Sequence, residues 1–308
     1  MFLILLLKGF IMGVAFLIPG VSGGTLAVYL GIYQKMIDAI SNIFKDFKNS
    51  FKYLLPIFLG IGISIVSLAA LLSWLLDINS FMILFFFIGL VVGGVKFIYK
   101  KTEPSKINLG MILSFSLSFL LLLLIVILDK TGSNVGVSTF DFSFWTYILI
   151  LVLGIIASIT MIVPGISGSA VLLVLGYYSA ILYVVKNIFD FSSIGYNLQV
   201  ILPFALGAVI GILLFSKLIG FLLKKYPKQT YAGILGFILA SVIGIFLEIK
   251  NPSSGINFSN QLPIYENYLT YFSDNIWSIF GGILTFSIGF IASKYLAKFE
   301  GKTNNEKS

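Results

Sequence analysis

The stretch that decides the fold is IPGVSGGTLAVYLGIY, residues 18–33, because it recurs as VPGISGSAVLLVLGYY at residues 163–178. Seven of the sixteen aligned positions are identical, and the two prolines lie 145 residues apart, close to half the chain. A second pair of similar segments, LPIFLG at 55–60 and LPFALG at 202–207, is separated by nearly the same number of residues. A Pro-Gly-x-Ser-Gly string that recurs in matching contexts indicates two related halves.

The composition is that of an integral membrane protein. Of the 308 residues, 58% are hydrophobic and 10% are charged, and the mean hydropathy is +1.05. Soluble domains carry about 25% charged residues, and no soluble core could bury this much apolar surface. The bilayer is therefore the solvent for most of the chain. The net charge of +8 fits lysine-rich loops against an anionic leaflet better than nucleic acid binding.

Several side-chain chemistries are absent from the sequence. There is no cysteine and no histidine, and all twenty basic residues are lysines. Disulfides, thiolate metal sites and imidazole proton shuttles are therefore excluded, as is a bidentate guanidinium grip on an anion. We expect no cofactor and no metal.

Each half contains two apolar legs around the Pro-Gly break, followed by three longer apolar stretches. About 20 apolar residues cross the hydrocarbon as a helix, so the longer stretches are candidate spans. They are 54–76, 81–99, 107–128, 200–223, 230–248 and 276–297. The shorter legs are predicted to form re-entrant helical hairpins, although two full crossings stay open for each. These legs are 2–18 with 25–34, and 144–163 with 170–185.

Lysine placement predicts the orientation of the chain. Lysine-rich loops belong in the cytoplasm, which places 35–52, 96–106, 224–228 and both termini inside. The loop with Asp77, the central linker and the segment 249–275 are predicted to lie outside. Each half then crosses an odd number of times, so the halves have opposite orientations.

The predicted fold is therefore an all-α polytopic membrane protein of two inverted-topology repeats, each a re-entrant hairpin plus three transmembrane helices. Residues 1–130 form the first repeat, 131–143 an external linker and 144–308 the second repeat.

The two breaks carry the candidate binding chemistry. Proline removes a backbone donor and glycine tolerates a turn, so the incoming helix ends there. Ser22 is a natural N-cap for the outgoing helix, and the glycines after it leave N–H groups open to an anion. Irregular backbone at membrane depth must be buried or line a polar cavity, so the two tips are predicted to meet near the midplane. A simple helix kink with close-packing glycines is the alternative. The candidate site comprises Pro19, Gly20, Ser22, Gly23, Gly24, Thr25, Pro164, Gly165, Ser167, Gly168 and Ser169.

Charged residues inside the apolar sequence are few. Lys8 and Lys217 could add charge to an anion site, but lysines near span ends usually extend to the interface. Asp38 and Glu248 lie near segment ends and are expected at the interface. The sequence therefore offers no evident carboxylate for coupling, and a proton or sodium as coupling ion stays open.

Residues 13–33 and 157–178, built around the two Pro-Gly-x-Ser-Gly motifs, resemble the bacterial polyprenyl-phosphate transporter family over essentially the whole chain. The resemblance implies a flippase of the bacterial cytoplasmic membrane that returns undecaprenyl phosphate from the outer to the inner leaflet. It also implies substrate binding by the residues of the two motifs. The chain departs from the family pattern at Phe16, where a polar residue is usual, and at Gln34, where an acidic residue is usual.

Two other function classes compete with transport of a lipid phosphate. A small inorganic anion carrier or channel could use the same helix ends. A polyprenyl-pyrophosphate phosphatase also has inverted repeats and a Pro-Gly-x-Ser loop, but it uses an arginine and acidic residues beside its serine. Since the chain has no arginine and its glutamates lie in or beside predicted loops, an enzyme is not expected.

Overall fold

The computed structural model describes residues 1–18, 21–103, 107–131, 139–187, 190–266 and 268–305. Within these ranges the chain is helical, and one isolated bridge joins Lys250 to Pro263. The first half contains α1 (Phe2–Leu17), α2 (Gly23–Tyr29), α3 (Tyr33–Ser41), α4 (Phe47–Lys101) and α5 (Leu109–Thr131). The second half contains α6 (Phe144–Ile162), α7 (Gly168–Val174), α8 (Tyr178–Lys186), α9 (Ile194–Lys225), α10 (Pro227–Leu247), α11 (Tyr268–Asp274) and α12 (Ile276–Asn305). Three 3-10 turns, Pro252–Ser254, Phe258–Asn260 and Ile264–Glu266, precede α11.

Six described helices are long and apolar enough to cross a bilayer: α4, α5, α6, α9, α10 and α12. Each of the six predicted spans lies within one of them, to within two residues. Many large apolar side chains face outward, as the lipid-facing surface of such a helix requires. The chain is therefore a multi-pass, all-helical membrane protein. Helix α6, predicted as a hairpin leg, is also long enough to cross, whereas its counterpart α1 has 16 residues.

Helix α4 is two spans joined at a kink. Its 55 residues would reach about 80 Å if straight, far more than the hydrocarbon thickness of about 30 Å. Asn79 has non-helical dihedral angles, φ −158° and ψ 85°. Its Oδ1 accepts a 3.1 Å hydrogen bond from Met82 N and so caps the second segment. We call 47–78 the first segment of α4 and 80–101 its second segment.

Four helix pairs approach each other at glycine. A Cβ on Gly9 would lie 2.1 Å from the carbonyl oxygen of Ile57, and one on Gly154 would lie 2.1 Å from that of Phe204. Thus α1 packs on the first segment of α4, and α6 packs on α9 in the same way. Small residues permit such close contact between membrane helices. Gly62, by contrast, has no atom within 4 Å of its would-be Cβ and so makes no such contact.

The other two pairs join the halves. A Cβ on Gly89 would lie 2.1 Å from the carbonyl oxygen of Phe286, and one on Gly236 would lie 2.4 Å from that of Phe115. The second segment of α4 therefore packs on α12, and α5 packs on α10. The last two spans of each half are thus partnered by the other half.

Loops predicted to share a side of the membrane lie together in the structure. At one end, Asp77 accepts a 2.6 Å hydrogen bond from Phe258 N, and Ser80 Oγ donates to the Lys250 carbonyl at 3.0 Å. At the other end, Lys224 pairs with Asp38 at 3.2 Å and Lys228 with Glu103 at 2.5 Å. The first set joins segments predicted outside, and the second joins segments predicted inside. Which end faces the cytoplasm stays a prediction.

Candidate functional site

The first break separates α1 from α2. Ile18 is extended (φ −101°, ψ 124°), and α2 begins at Gly23 with Ser22 at the N-cap position. Pro19 and Gly20, both predicted site residues, lie outside the described residues. All of 21–30 is buried, with Ser22 5% and Thr25 1% exposed.

The second break separates α6 from α7. Val163 is extended, Pro164 is buried, and α7 begins at Gly168 with Ser167 at the N-cap position. Gly165 has φ +93°, and a Cβ on it would lie 2.7 Å from the carbonyl oxygen of Phe237. Only glycine satisfies both the left-handed backbone and this close approach. Ser169 is exposed, in contrast to the buried first motif.

The two breaks touch each other. A Cβ on Gly24 would lie 3.4 Å from the Cα of Pro164. Ser22 Oγ lies 3.5 Å from the Val163 carbonyl, and Tyr33 Oη donates a 3.0 Å hydrogen bond to the Ile162 carbonyl. Residues more than a hundred positions apart are thereby joined in one irregular region.

Neither N-cap serine uses its hydroxyl to cap its helix. Ser167 Oγ instead shares a 2.8 Å hydrogen bond with Ser169 Oγ. The Thr25 hydroxyl is buried and makes no hydrogen bond, although buried polar groups are nearly always paired. Of the motif hydroxyls in the described residues, that of Thr25 is therefore the one that the protein itself leaves unpaired. Helices α2 and α7 have seven residues each, so hydroxyls and first-turn N–H groups matter more here than a macrodipole.

A cavity of about 660 Å³ opens onto this region. Its polar lining includes Ser22, Ser158, Thr160, Ser167 and Ser169. Its apolar walls come from α5, α8 and α9, and include Leu122, Val126, Ile181 and Phe204. Polar groups that converge at one end of an apolar cavity are typical of a ligand site.

Phe16 stands between the cavity and the first motif. Its side chain is 39% exposed and lines the cavity. A Cβ on Gly23 would lie 2.4 Å from the tip of the Phe16 ring. The ring therefore covers the start of α2.

The cavity wall carries a charged cluster that was not predicted from the sequence. Asp129 and Lys130 end α5, Glu248 follows α10, and all three line the cavity. Lys130 Nζ pairs with Glu248 Oε1 and lies 3.6 Å from Asp129 Oδ2, while Asp129 Oδ1 is buried without a hydrogen bond. Glu248 lies near a segment end as expected, but the packing of α5 on α10 joins it on the cavity wall to Lys130, 118 positions away in the chain. The sequence feature that could have indicated this pair is the presence of opposite charges, Lys130 and Glu248, at the ends of two apolar spans.

The structure places the other candidate charges away from this cavity. Lys8 Nζ donates a 2.6 Å hydrogen bond to the Leu30 carbonyl, at the end of α2, and Lys217 is exposed. Gln34 lines a separate pocket of about 330 Å³ with Lys35 and Asp38. In the part of the chain that the structure describes, no group of three or more metal-ligating side chains is found.

Comparison with known proteins gives consistent matches. A family model described as undecaprenyl phosphate translocase-like matches residues 12–261. A protein of Vibrio cholerae serotype O1 named polyprenyl-phosphate transporter is 32% identical over 287 residues, covering 86% of this chain and 85% of that protein. A Staphylococcus aureus protein of the same name is 32% identical over 247 residues, covering 78% of this chain and 85% of that protein. No solved structure matches the chain.

Proposed function

We propose that the chain transports polyprenyl phosphate, because it belongs to the undecaprenyl phosphate translocase-like family. The observation that carries the proposal is the cavity into which Ser22, Ser167 and Ser169 converge. Hydroxyl and backbone N–H donors can hold a phosphate where arginine is absent. The proposed binding residues are the candidate residues of both motifs: Pro19, Gly20, Ser22, Gly23, Gly24, Thr25, Pro164, Gly165, Ser167, Gly168 and Ser169.

The shape of the cavity supports an amphiphilic substrate. Its volume of about 660 Å³ lies in the usual range for small-ligand sites, about 300–1,000 Å³. A long prenyl chain exceeds that volume, so we place the phosphate at the serine motifs and most of the chain in lipid. The apolar walls from α5 and α9 would receive the first isoprene units.

The proposed mechanism is alternating access between two inverted repeats, residues 1–130 and 144–308. The matching of α1 on α4 with α6 on α9 supports the repeat. The unequal burial of the motifs supports a state in which the second tip is open and the first is closed. In the opposite state the first motif would open, and the unpaired Thr25 hydroxyl would gain the phosphate as its partner.

The proposed direction is from the outer to the inner leaflet of the bacterial cytoplasmic membrane. The open cavity includes Asp129 and Glu248, which lie at the end of the molecule predicted to be external. Phosphate would therefore enter from the outer leaflet and leave toward the lysine-rich loops. Both termini would be cytoplasmic, and the coupling ion, proton or sodium, is left to experiment.

The test is translocation of labelled undecaprenyl phosphate in proteoliposomes, with free phosphate assayed alongside. We expect leaflet exchange of the monophosphate without release of inorganic phosphate. No exchange under any ion gradient would favour a carrier of small inorganic anions. Release of phosphate from the pyrophosphate form would favour an enzyme, since carboxylates and serines do line one cavity.

A further inference from the structure

Lys130 is the one cation among the described residues that line the large cavity. It lies at the end of α5, where an apolar span meets the interface, with 23% of its side chain exposed. Val126 and Leu122, one and two turns before it on the same helix, line the cavity as well. A cation above an apolar wall matches a lipid whose phosphate lies at the interface and whose chain lies below.

Lys130 is already engaged by acidic groups. It pairs with Glu248 and lies 3.6 Å from Asp129, so two carboxylates hold this one ammonium group. An incoming phosphate must therefore compete with Glu248 for the ammonium group. The Glu248 side chain is 20% exposed, so it can turn toward water when it is displaced.

This competition depends on the charge of the arriving lipid. A phosphate monoester carries about −1.5 to −2 charges at neutral pH, as phosphorylated side chains do. A phosphodiester lipid headgroup carries one negative charge on a more crowded phosphate. Displacing Glu248 costs the same free energy for either lipid. The monoester is attracted more strongly to Lys130, so it can offset that cost at concentrations at which the diester cannot, and rejection of a competitor by an unfavourable interaction is a general source of specificity.

We propose that Lys130 and Glu248 select the phosphate monoester at the cavity entrance. Lys130 binds the phosphate of the lipid, and Glu248 excludes singly charged phosphodiester lipids by holding Lys130 against them. Asp129 keeps Lys130 in place during the exchange of partners. This inference rests on the proposed function, because it assumes that the transported group is a lipid phosphate.

The test is competition binding with the purified full-length chain in detergent. The probe is a fluorescent farnesyl monophosphate, and the competitors are dodecyl phosphate, a monoester, and lysophosphatidylglycerol, a diester. For Lys130→Gln we expect probe affinity to fall about tenfold or more, as for loss of a charged hydrogen bond, while Lys130→Arg retains it. For Glu248→Gln we expect the affinities for the probe and for the diester each to rise about tenfold, so that the diester binds at concentrations at which the wild type does not bind it.

The matched control is the pair at the other end of the molecule. Lys228 pairs with Glu103 at 2.5 Å, and its side chain is 30% exposed, but neither residue lines the large cavity. Lys228→Gln and Glu103→Gln should leave both competition curves unchanged. Thermal melting of every variant separates a loss of binding from a loss of folding.

Equal loss of probe binding in Lys130→Gln and Glu248→Gln, with equal loss of thermal stability, would overturn the inference in favour of a purely structural ion pair. Wild-type affinity in Lys130→Gln would overturn it as well. Either result leaves the proposed function intact if the wild-type chain translocates polyprenyl phosphate. Failure of the wild-type chain to bind the monoester overturns both, whereas binding without translocation counts against the proposed function alone.

Discussion

The hydroxyl of Tyr33, in α3 of the first half, donates a 3.0 Å hydrogen bond to the carbonyl of Ile162, the last residue of α6 in the second half. Both residues are 3% exposed. The bond ties α3 to the second break, and in the proposed mechanism it would help to keep the first motif closed. It also satisfies a carbonyl that the end of α6 leaves without a helical partner.

Tyr33→Phe should therefore weaken the contact between α3 and the second break and make the first motif more accessible. The variant leaves the Ile162 carbonyl unpaired, and we expect a cost of about 1–3 kcal/mol to the state seen here. Thermal melting should show a modest loss of stability, while cysteine labelling should show that the first motif is more exposed. An unchanged melting temperature together with unchanged exposure would show that this bond does not hold the side closed.

Cysteine labelling can measure the unequal burial of the two motifs, because the chain contains no cysteine of its own. Ser169→Cys should react readily with a membrane-impermeant maleimide added from the external side, because Ser169 is exposed. Ser22→Cys should be protected, because Ser22 is 5% exposed. Equal labelling of both positions would contradict the closed first motif, and labelling of Ser169→Cys only from the cytoplasmic side would reverse the predicted topology.

The Phe16 ring should limit access to the start of α2. Gly23→Ala places a Cβ 2.4 Å from the ring, so we expect this variant to lose transport or stability. The double variant Phe16→Ala with Gly23→Ala should recover much of that loss, because the clash is with a side chain. A double-mutant cycle of melting temperature and transport rate measures the coupling. Additive effects would show that the two positions are independent.

The serine hydroxyls should contribute to phosphate binding more than to folding. In the double variant Ser22→Ala with Ser167→Ala we expect the KM for polyprenyl phosphate to rise about tenfold or more, with little change in melting temperature. Ser216→Ala is the control, since its hydroxyl is buried but bonds to Leu213 within α9. Unchanged transport in the double variant would count heavily against the two tips as the site.

Gly165→Ala should be among the most damaging single changes. The residue has φ +93°, and its would-be Cβ lies 2.7 Å from a backbone oxygen of α10, which cannot move aside as a side chain could. We expect a loss of at least about 1–3 kcal/mol in the free energy of unfolding. Gly62→Ala, where no atom lies within 4 Å, should be neutral or stabilising, so a similar loss there would undermine the argument.

The sequence predicted those features that depend on neighbouring residues. Spans follow from runs of apolar residues, and the two helix breaks follow from proline and glycine beside serine. The boundary between two spans near Asp77 follows in the same way, because a short polar interruption in an apolar run is a local signal. The structure shows there a continuous helical path with one capped kink at Asn79.

The parts that depend on which helices pack together were not predictable in this way. Glu248 and Lys130 each look like ordinary interfacial residues in their own segments. They form a site because α10 packs on α5, and no pattern within either segment indicates that pairing. The contact of Lys8 was not predictable from its own segment either, since its partner is the carbonyl of Leu30 at the end of α2.

The last two spans of each half pack on the other half, and this has a consequence for the order in which the contacts can form during synthesis. When synthesis has passed residue 131, α5 is complete but its packing partner α10 has not been made. The second segment of α4 likewise lacks its packing partner α12 at that point. Close glycine contacts at Gly89 and Gly236 are therefore among the last to form. A fragment that ends after the first half would lack partners for two helices, whereas two fragments produced together could assemble with each other.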